Sequence, residues 1–193
     1  LTEGLRRLQR MGATRAFVGI GAHVTVLDVN YEALMRINDE MPNVVTMMSN
    51  AINIKRVTSF ADVVVAGILV PEERTPIVIT RDMVRAMKPG SLIMDLSIDE
   101  GGCVETSRPT SHEHPTYIDE GVIHYCVPNV PSIVARTATF AFLNAAYPFI
   151  QEIAAKGTKQ AIADNPAIER GAAIINGQIR HLPRLKPVGA EGE

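Results

Sequence analysis

The sequence has no tryptophan and only two cysteines in 193 residues. Cys103 and Cys126 stand too far apart for a C-x-x-C knuckle or redox pair. The sequence leaves a structural disulfide open, but two isolated thiols fit a reducing compartment, the cytoplasm, better. Charge of one sign is also scarce: the formal net charge is -2, which argues against nucleic acid or an anionic membrane as partner. There is no uninterrupted apolar run of bilayer length and no signal-peptide pattern. The chain opens on Leu1 rather than Met, as a processed product or an excerpt does. It also has no G-x-G-x-x-G loop. In a dinucleotide-binding sheet that loop joins the first strand to the first helix and turns backbone N–H groups toward a pyrophosphate.

What is present reads as a globular α/β chain. Hydrophobic residues make up 46% and charged residues 21%, enough for a sizeable core. Leu1 to Val18 has helical spacing, with Leu5, Leu8, Met11 and Ala16 between arginines, and Gly19 and Gly21 mark its end. His23 to Asp28 predicts a strand, and Asn30 caps a helix from Tyr31 to about Asp39. Val44 to Met48 predicts a second strand and Ile52 to Phe60 a short helix. Asp62 to Gly67 is apolar without alternation, as in a strand covered on both faces. Thr80 caps a helix to Met87, and Lys88-Pro89-Gly90 ends it. Ser91 to Leu96 is a fourth strand, Asp99 to Tyr117 an irregular stretch, and Val122 to Cys126 a last strand. Strands and helices in strict alternation with short connections imply right-handed crossovers and an open, doubly wound parallel sheet of the Rossmann-like class.

After Pro128 the texture changes. Ser132 to Ala154 is nearly uncharged and helical, with Pro148 expected to kink or break it. A helix apolar on all faces must be buried between domains or subunits. Thr158 to Ala163 predicts another helix, Asn165-Pro166 a turn, and Ile174 to His181 a ribbon around Asn176-Gly177. The Pro- and Gly-rich tail from Pro183 reads as loose. Residues 1–130 are thus expected to form a partial dinucleotide-binding domain. Residues 131–193 are expected to form helices and a tail belonging to a substrate domain or an oligomer interface.

Ligands of such sheets sit at the carboxyl ends of the strands. The first visible strand ends in Asp28. Its carboxylate can accept bonds from both hydroxyls of an adenosine ribose and repel a 2′-phosphate, or it can cap the following helix. Ser49 can meet ribose or adenine, or be a turn residue. Ile68 and Leu69 can cover a ring face, or be core. Asp99 follows an apolar strand and precedes Glu100-Gly101-Gly102. Partial burial would raise its pKa and suit it to proton exchange, while a loop carboxylate holding the Gly-Gly turn is the alternative. The first glycine of a phosphate loop belongs roughly 20 residues before the ribose acid, where Leu5 to Arg10 holds no glycine. Gly19-x-Gly21 lies where a helix ends, so it is no substitute. His112 and His114 read as loop residues and not as metal ligands.

Four runs carry a resemblance. They are Asp95-Leu96-Ser97-Ile98-Asp99-Glu100-Gly101-Gly102-Cys103-Val104-Glu105-Thr106-Ser107-Arg108-Pro109-Thr110; His124-Tyr125-Cys126-Val127-Pro128-Asn129-Val130-Pro131; Arg136-Thr137-Ala138-Thr139 with Leu143-Asn144-Ala145-Ala146; and Gly19 to Asn30. Together they resemble the alanine dehydrogenases over roughly Ala13 to His181. The resemblance implies reversible, NAD-dependent oxidative deamination of L-alanine to pyruvate and ammonia by a homo-oligomer, commonly a hexamer. By matching position it implies Asp28 at the adenosine ribose, Ser49 at the adenine end, and Ile68 and Leu69 lining the cleft. Leu96, Ser97, Ile98 and Asp99 would lie along the nicotinamide half, with Asp99 as acid/base. Arg108, Val127, Asn129 and Val130 would also face the cofactor.

Ala33 stands where the family often has a basic residue. The match does not reach the family's substrate half, with the arginine and lysine that hold the pyruvate carboxylate and the histidine of the acid/base pair. It reaches neither the first strand nor the glycine loop, whose third glycine falls on Arg10. Arg136 can grip a carboxylate or cap the following helix. A working dehydrogenase portion and a non-catalytic remnant or partner subunit both stay open from the sequence.

Overall fold

The computed structural model describes residues 2–68 and 74–180, with side chains from Met11 onward. The chain divides into two compact units, Leu1–Pro128 and Asn129–Glu193. In the first unit, α1 (Thr2–Gly19) turns at Gly21, φ 81°, into β1 (Thr25–Asp28). Then come α2 (Tyr31–Glu40), β2 (Val45–Met48), α3 (Ala51–Thr58), β3 (Val63–Ala66), α4 (Arg81–Arg85) and β4 (Leu92–Asp95). The hairpin β5 (Thr116–Asp119) and β6 (Val122–Tyr125) completes the unit.

The helix starts follow their capping residues. Asn30 Oδ1 accepts from Ala33 N (3.2 Å), Asn50 Oδ1 from Asn53 N (2.8 Å) and Thr80 Oγ1 from Met83 N (3.4 Å). Each satisfies an N–H left over in a first helical turn. α2 buries Leu34 and Ile37, three residues apart on one face.

The fold is the expected Rossmann-like α/β arrangement of parallel strands, and the sheet is in two pieces. β1 pairs in parallel with β2, with Asp28 opposite Met48. The second piece has the order β3-β4-β6-β5, with β3, β4 and β6 parallel and β5 antiparallel at the edge. Among the described residues no strand pairing joins the β1-β2 piece to the β3-β4-β6-β5 piece. The irregular stretch expected up to Tyr117 therefore ends earlier, at β5. Its turn, Glu120-Gly121, has φ of 49° and 76°, the two positive values of a type I′ hairpin, with Glu in the place where Asn or Asp usually announces it. The core lies around the second piece: Ala66, Ile79, Val84, Met87, Ile93, Cys103, Val104 and Val122 form one buried cluster.

In the second unit a 3-10 turn (Val130–Val134) leads into α5 (Ala135–Lys156), followed by α6 (Thr158–Asp164) and α7 (Pro166–Gly171). The ribbon β7 (Ile174–Ile175) and β8 (Gln178–Ile179) turns at Asn176-Gly177 as expected. α5 runs through Pro148 without a break. The turn expected at Asn165-Pro166 is the start of α7: Asn165 Oδ1 accepts from Ala167 N (2.9 Å), with Pro166 in the first turn, where a missing N–H costs nothing. α5 exposes Phe140, Phe142, Leu143, Tyr147 and Ile150. Val130–Lys156, 27 residues at a mean hydropathy of 1.2, is long and apolar enough by composition to cross a membrane. Asn144 and Pro148 interrupt its apolar run; core helices of soluble proteins pass the same measure when mostly buried, whereas none of α5 is buried in this chain.

Candidate functional site

The carboxyl ends of β1 and β2 bring Asp28 and Ser49 together, through Ser49 N donating to Asp28 O (2.9 Å). Asp28 is buried, and its Oδ1 accepts from Asn30 N (3.0 Å). The cap of α2 is Asn30 and not Asp28, so the alternative role considered for Asp28 is filled by its neighbour.

The carboxyl ends of β3 and β4 form a denser group. The Ser97 hydroxyl, 2% exposed, donates to Ile68 O (2.6 Å) and accepts from Ile68 N (2.7 Å). It therefore latches the end of β3 to the end of β4. Asp95 closes β4 and is 1% exposed. Its Oδ1 accepts from Ser97 N (3.0 Å), and its Oδ2 accepts from Cys103 N (2.9 Å) and Val104 N (3.3 Å). A carboxylate satisfied by backbone N–H groups at both ends of a loop fixes that loop's shape. Gly102 sits so close that a Cβ there would stand 3.0 Å from Asp95 Oδ2, at φ 79°. The Gly-Gly turn is thus held by Asp95, a role the sequence reading weighed for Asp99. An acid ending the run Leu92-Ile93-Met94 eight residues before Cys103 was the signal for it. The Cys103 Sγ lies 3.5 Å from Asp95 Oδ1. Burial, with the Asp95 charge beside it, pushes this thiol up to about 12, so it stays neutral and unreactive at pH 7. Both cysteines are buried and free, which settles the disulfide question.

Asp99 lies in the single 3-10 turn Ile98–Glu100, with Ile98 buried and Asp99 exposed. The partial burial expected for Asp99 is not found: the chain tucks Ile98 inward after Ser97 and turns the next side chain out. Ile98 (5% exposed) and Val127 (2%) are core side chains, so neither presents a surface to a ligand, contrary to the expectation for both. Leu96 is half-buried beside the Ser97 latch. Leu69 lies outside the described residues, as does His181. Asn129, at φ 51°, and Val130 open the second unit.

Arg108 is exposed, and its guanidinium carbon sits 4.2 Å from the centre of the Tyr117 ring on β5. The edge hairpin, not the strand ends, holds it. Beneath it the Tyr117 hydroxyl donates to Thr106 O and accepts from Arg108 N, both at 2.8 Å. The ring stacks on His124 at 5.0 Å. His124 is fully buried; its Nδ1 donates to Val122 O (2.9 Å), which leaves Nε2 to accept from the Thr106 hydroxyl (2.7 Å). Burial lowers its pKa below 6.5 and keeps the ring neutral. Arg136 lies over the Phe140 ring at 6.0 Å, in the first turn of α5.

Parallel strands joined by helices, with an acid at the end of one strand and an anchored polar loop at the end of another, define a doubly wound α/β protein of the dinucleotide-binding class. The sequence profile described as "Alanine dehydrogenase/PNT, C-terminal domain" matches residues 10–182. The alanine dehydrogenase of Methanococcus maripaludis is 44% identical over 171 residues, 88% of this chain and 46% of that protein. That of Bacillus subtilis is 39% identical over 181 residues, 93% of this chain and 48% of that protein. A solved L-alanine dehydrogenase superposes with a TM-score of 0.79 at 38% identity, covering 88% of this chain and 47% of the other. The chain belongs to the alanine dehydrogenase/PNT C-terminal domain family. It spans about half the length of the curated relatives it matches.

Proposed function

We propose that the chain is the cofactor-binding portion of an NAD-dependent L-alanine dehydrogenase, which interconverts L-alanine with pyruvate and ammonia. The loop anchored by Asp95 supports this most directly. It holds Ser97 rigidly and turns Asp99 outward at the carboxyl end of β4, where a ligand of this fold lies.

The residues present fit one end of a dinucleotide. Asp28, buried at the end of β1 and not needed as a cap, suits the adenosine ribose, with Ser49 beside it. They do not fit the pyrophosphate. Gly19 and Gly21 end α1, where the helix dipole is negative and carbonyls point outward. When bound, the nicotinamide supplies the hydride acceptor. The chain's own residues do the remainder. Asp28 selects the ribose over a 2′-phosphate, and Ile68 covers a ring face. Ser97 fixes Ile68, and Asp99 takes or returns a proton. Leu96 borders the same cleft, Ile98 and Val127 shape it from beneath, and Asn129 and Val130 keep the roles implied by their positions in the matched run. Leu69 keeps the role implied by its position. Arg108, parked on Tyr117, reaches the cofactor only by leaving that ring. A homo-oligomer, hexameric as in the family, covers the exposed apolar face of α5, and the two buried free thiols suit the cytoplasm.

The test is a chimaera in which this chain replaces the corresponding half of the Bacillus subtilis enzyme. We expect alanine-dependent reduction of NAD. Asp99→Asn is expected to depress turnover about 100-fold or more with NAD affinity nearly unchanged. Asp28→Ala is expected to weaken NAD binding and narrow its preference over NADP. A chimaera that binds NAD without turnover would favour the second reading, a non-catalytic partner subunit.

A further inference from the structure

β5 is the edge strand of its sheet, and among the described residues only β6 pairs with it. The Tyr117 ring therefore has one face toward the sheet and one toward solvent. His124, its register partner on β6, covers the inner face at 5.0 Å, with the two rings 16° apart. The Arg108 guanidinium covers the outer face at 4.2 Å. His124 is fully buried and Arg108 is exposed, so the three groups form one stack running from core to surface. Among the described residues no salt bridge involves Arg108, which leaves the ring to hold its side chain.

The backbone beneath the stack is tied down as well. The Tyr117 hydroxyl donates to Thr106 O and accepts from Arg108 N, both at 2.8 Å. Thr110 N donates to Cys126 O (3.0 Å), and the Thr110 hydroxyl donates to Pro115 O (3.0 Å). The run 106–110 is thus pinned to the hairpin, and Arg108 is fixed at its backbone whatever its side chain does. Burial raises the pKa of the phenol, so Tyr117 stays a neutral donor at pH 7. On the inner face, His124 Nε2 accepts from the Thr106 hydroxyl (2.7 Å) and Nδ1 donates to Val122 O (2.9 Å). A proton added at Nε2 requires the Thr106 hydroxyl to turn from donor to acceptor, and the imidazolium then keeps both of its hydrogen bonds.

We propose that Tyr117 is a positioning residue for Arg108 and works as the middle layer of this stack, with the proton state of His124 setting how firmly the guanidinium is held. An aromatic face attracts a cation through its quadrupole. A neutral imidazole on the far side leaves that attraction whole. An imidazolium there competes for the same ring and repels the guanidinium across it. Asp119 on β5 and Asp95 at the end of β4 favour a proton on His124, and Arg108 opposes it. Asp119 is itself paired with Arg81 of α4 (3.0 Å), and Asp95 is committed to the N–H groups of its loop. Tyr117 and Cys126, whose hydroxyl and thiol lie 3.9 Å apart, are the other titratable groups on that side. By reciprocity, an anionic ligand that draws the guanidinium off the ring makes His124 easier to protonate, and acid makes the guanidinium easier to draw off. That Arg108 meets the cofactor rests on the reading above; the stack and its linkage do not.

Solution NMR of the full 193-residue chain, between pH 7.5 and 5 and well below the melting temperature, reads both ends of the stack. The Arg108 Nε–H carries a ring-current shift while it lies over Tyr117, and the carbon-bound ring protons of His124 report its titration. We expect the ring-current shift to diminish in step with protonation of His124. Arg108→Gln is expected to raise the proton affinity of His124 about threefold or more. Tyr117→Phe keeps the ring and is expected to keep the shift and its pH dependence, whereas Tyr117→Leu loses both. His124→Phe is expected to keep the shift and lose its pH dependence.

An Arg108 shift that stays constant while His124 titrates overturns the linkage, as does a His124 titration that Arg108→Gln leaves in place. A His124 that takes no proton while the chain is folded overturns it too. Loss of the shift in Tyr117→Phe assigns the positioning to the hydroxyl's bond with the Arg108 N–H and overturns the stack. Arg108→Gln changes a surface side chain, so it decides the matter even where Tyr117→Leu fails to fold. NADH added to the unmodified chain separates the two readings. Loss of the Arg108 shift together with a rise in the proton affinity of His124 supports both, and loss of the shift alone overturns the linkage. Signals that NADH leaves in place, in a chain whose variants behave as expected, uphold the stack and count against Arg108 as a cofactor contact.

Discussion

The two halves of the first unit obey the same topology with very different completeness. Around β4 every edge is paired, Ile93 and Val84 are fully buried, and one carboxylate ties the following loop to the strand. Around β1 and β2, Val26 and Leu27 are only half-buried and Val45 is 56% exposed, although the residue types are as apolar. The difference lies in neighbours, since an identical β-branched run is core or surface according to what pairs beside it. The loop after β4 is thus preorganised by the chain itself. β1 ends in a buried acid and has an unpaired edge among the described residues.

That contrast can be broken by mutation. Ile93→Ala should cost about 3 kcal/mol or more, because the site is sealed on all sides. Leu27→Ala should cost about 1 kcal/mol, because water already reaches it. Denaturant midpoints of the two variants measure this, and equal losses would erase the distinction. Asp95→Asn comes next, at about 2 kcal/mol. It replaces one acceptor oxygen of the loop anchor with a donor that faces the Cys103 and Val104 N–H groups or the Ser97 N–H. The loss should be accompanied by faster exchange at Cys103 and Val104. A variant that loses stability while both amides stay protected would separate Asp95 from the loop.

Acid should act on the complete half as well. His124 is neutral in the fold, with a pKa lowered from 6.5 by burial. The unfolded chain binds that proton first, so stability is whole above about pH 6.5 and falls as the pH drops below it. Melting temperature measured between pH 7.5 and 5 should decline over that window, and His124→Gln should flatten the decline. An unchanged slope in the variant would assign the acid sensitivity elsewhere. The smallest effect belongs to the second unit. Phe140→Ala on α5 should change the stability of the isolated chain by no more than about 0.5 kcal/mol, since the ring is 58% exposed. A loss several times larger would show that the face is already covered.

Much of this was legible in the residues. The caps Asn30 and Thr80, the five parallel strands and the Asn176-Gly177 ribbon follow from local chemistry, which needs no knowledge of neighbours. The Glu120-Gly121 hairpin was missed because its turn lacks the usual Asn or Asp. The α7 start was missed because Asn165-Pro166 signals a turn and a helix N-terminus equally well. The site divided along the same line. Asp28 and the 95–104 run were visible as an acid and a motif. Which carboxylate anchors the loop and which faces out depends on how Ile98 packs, and a linear pattern does not carry that. Arg108 was placed by its position in the run, whereas its location is set by Tyr117, eleven residues from the Thr106 carbonyl that the phenol holds.

Residue-resolved amide exchange of the chain alone tests the central claim most directly, that the amides around β4 are sealed while the outer edges of β1 and β3 are open. The account predicts that Ile93, Cys103 and Val104 exchange only through global unfolding, while Thr25, Leu27, Val63 and Val65 exchange orders of magnitude faster. Equal protection at both sets of amides would contradict it.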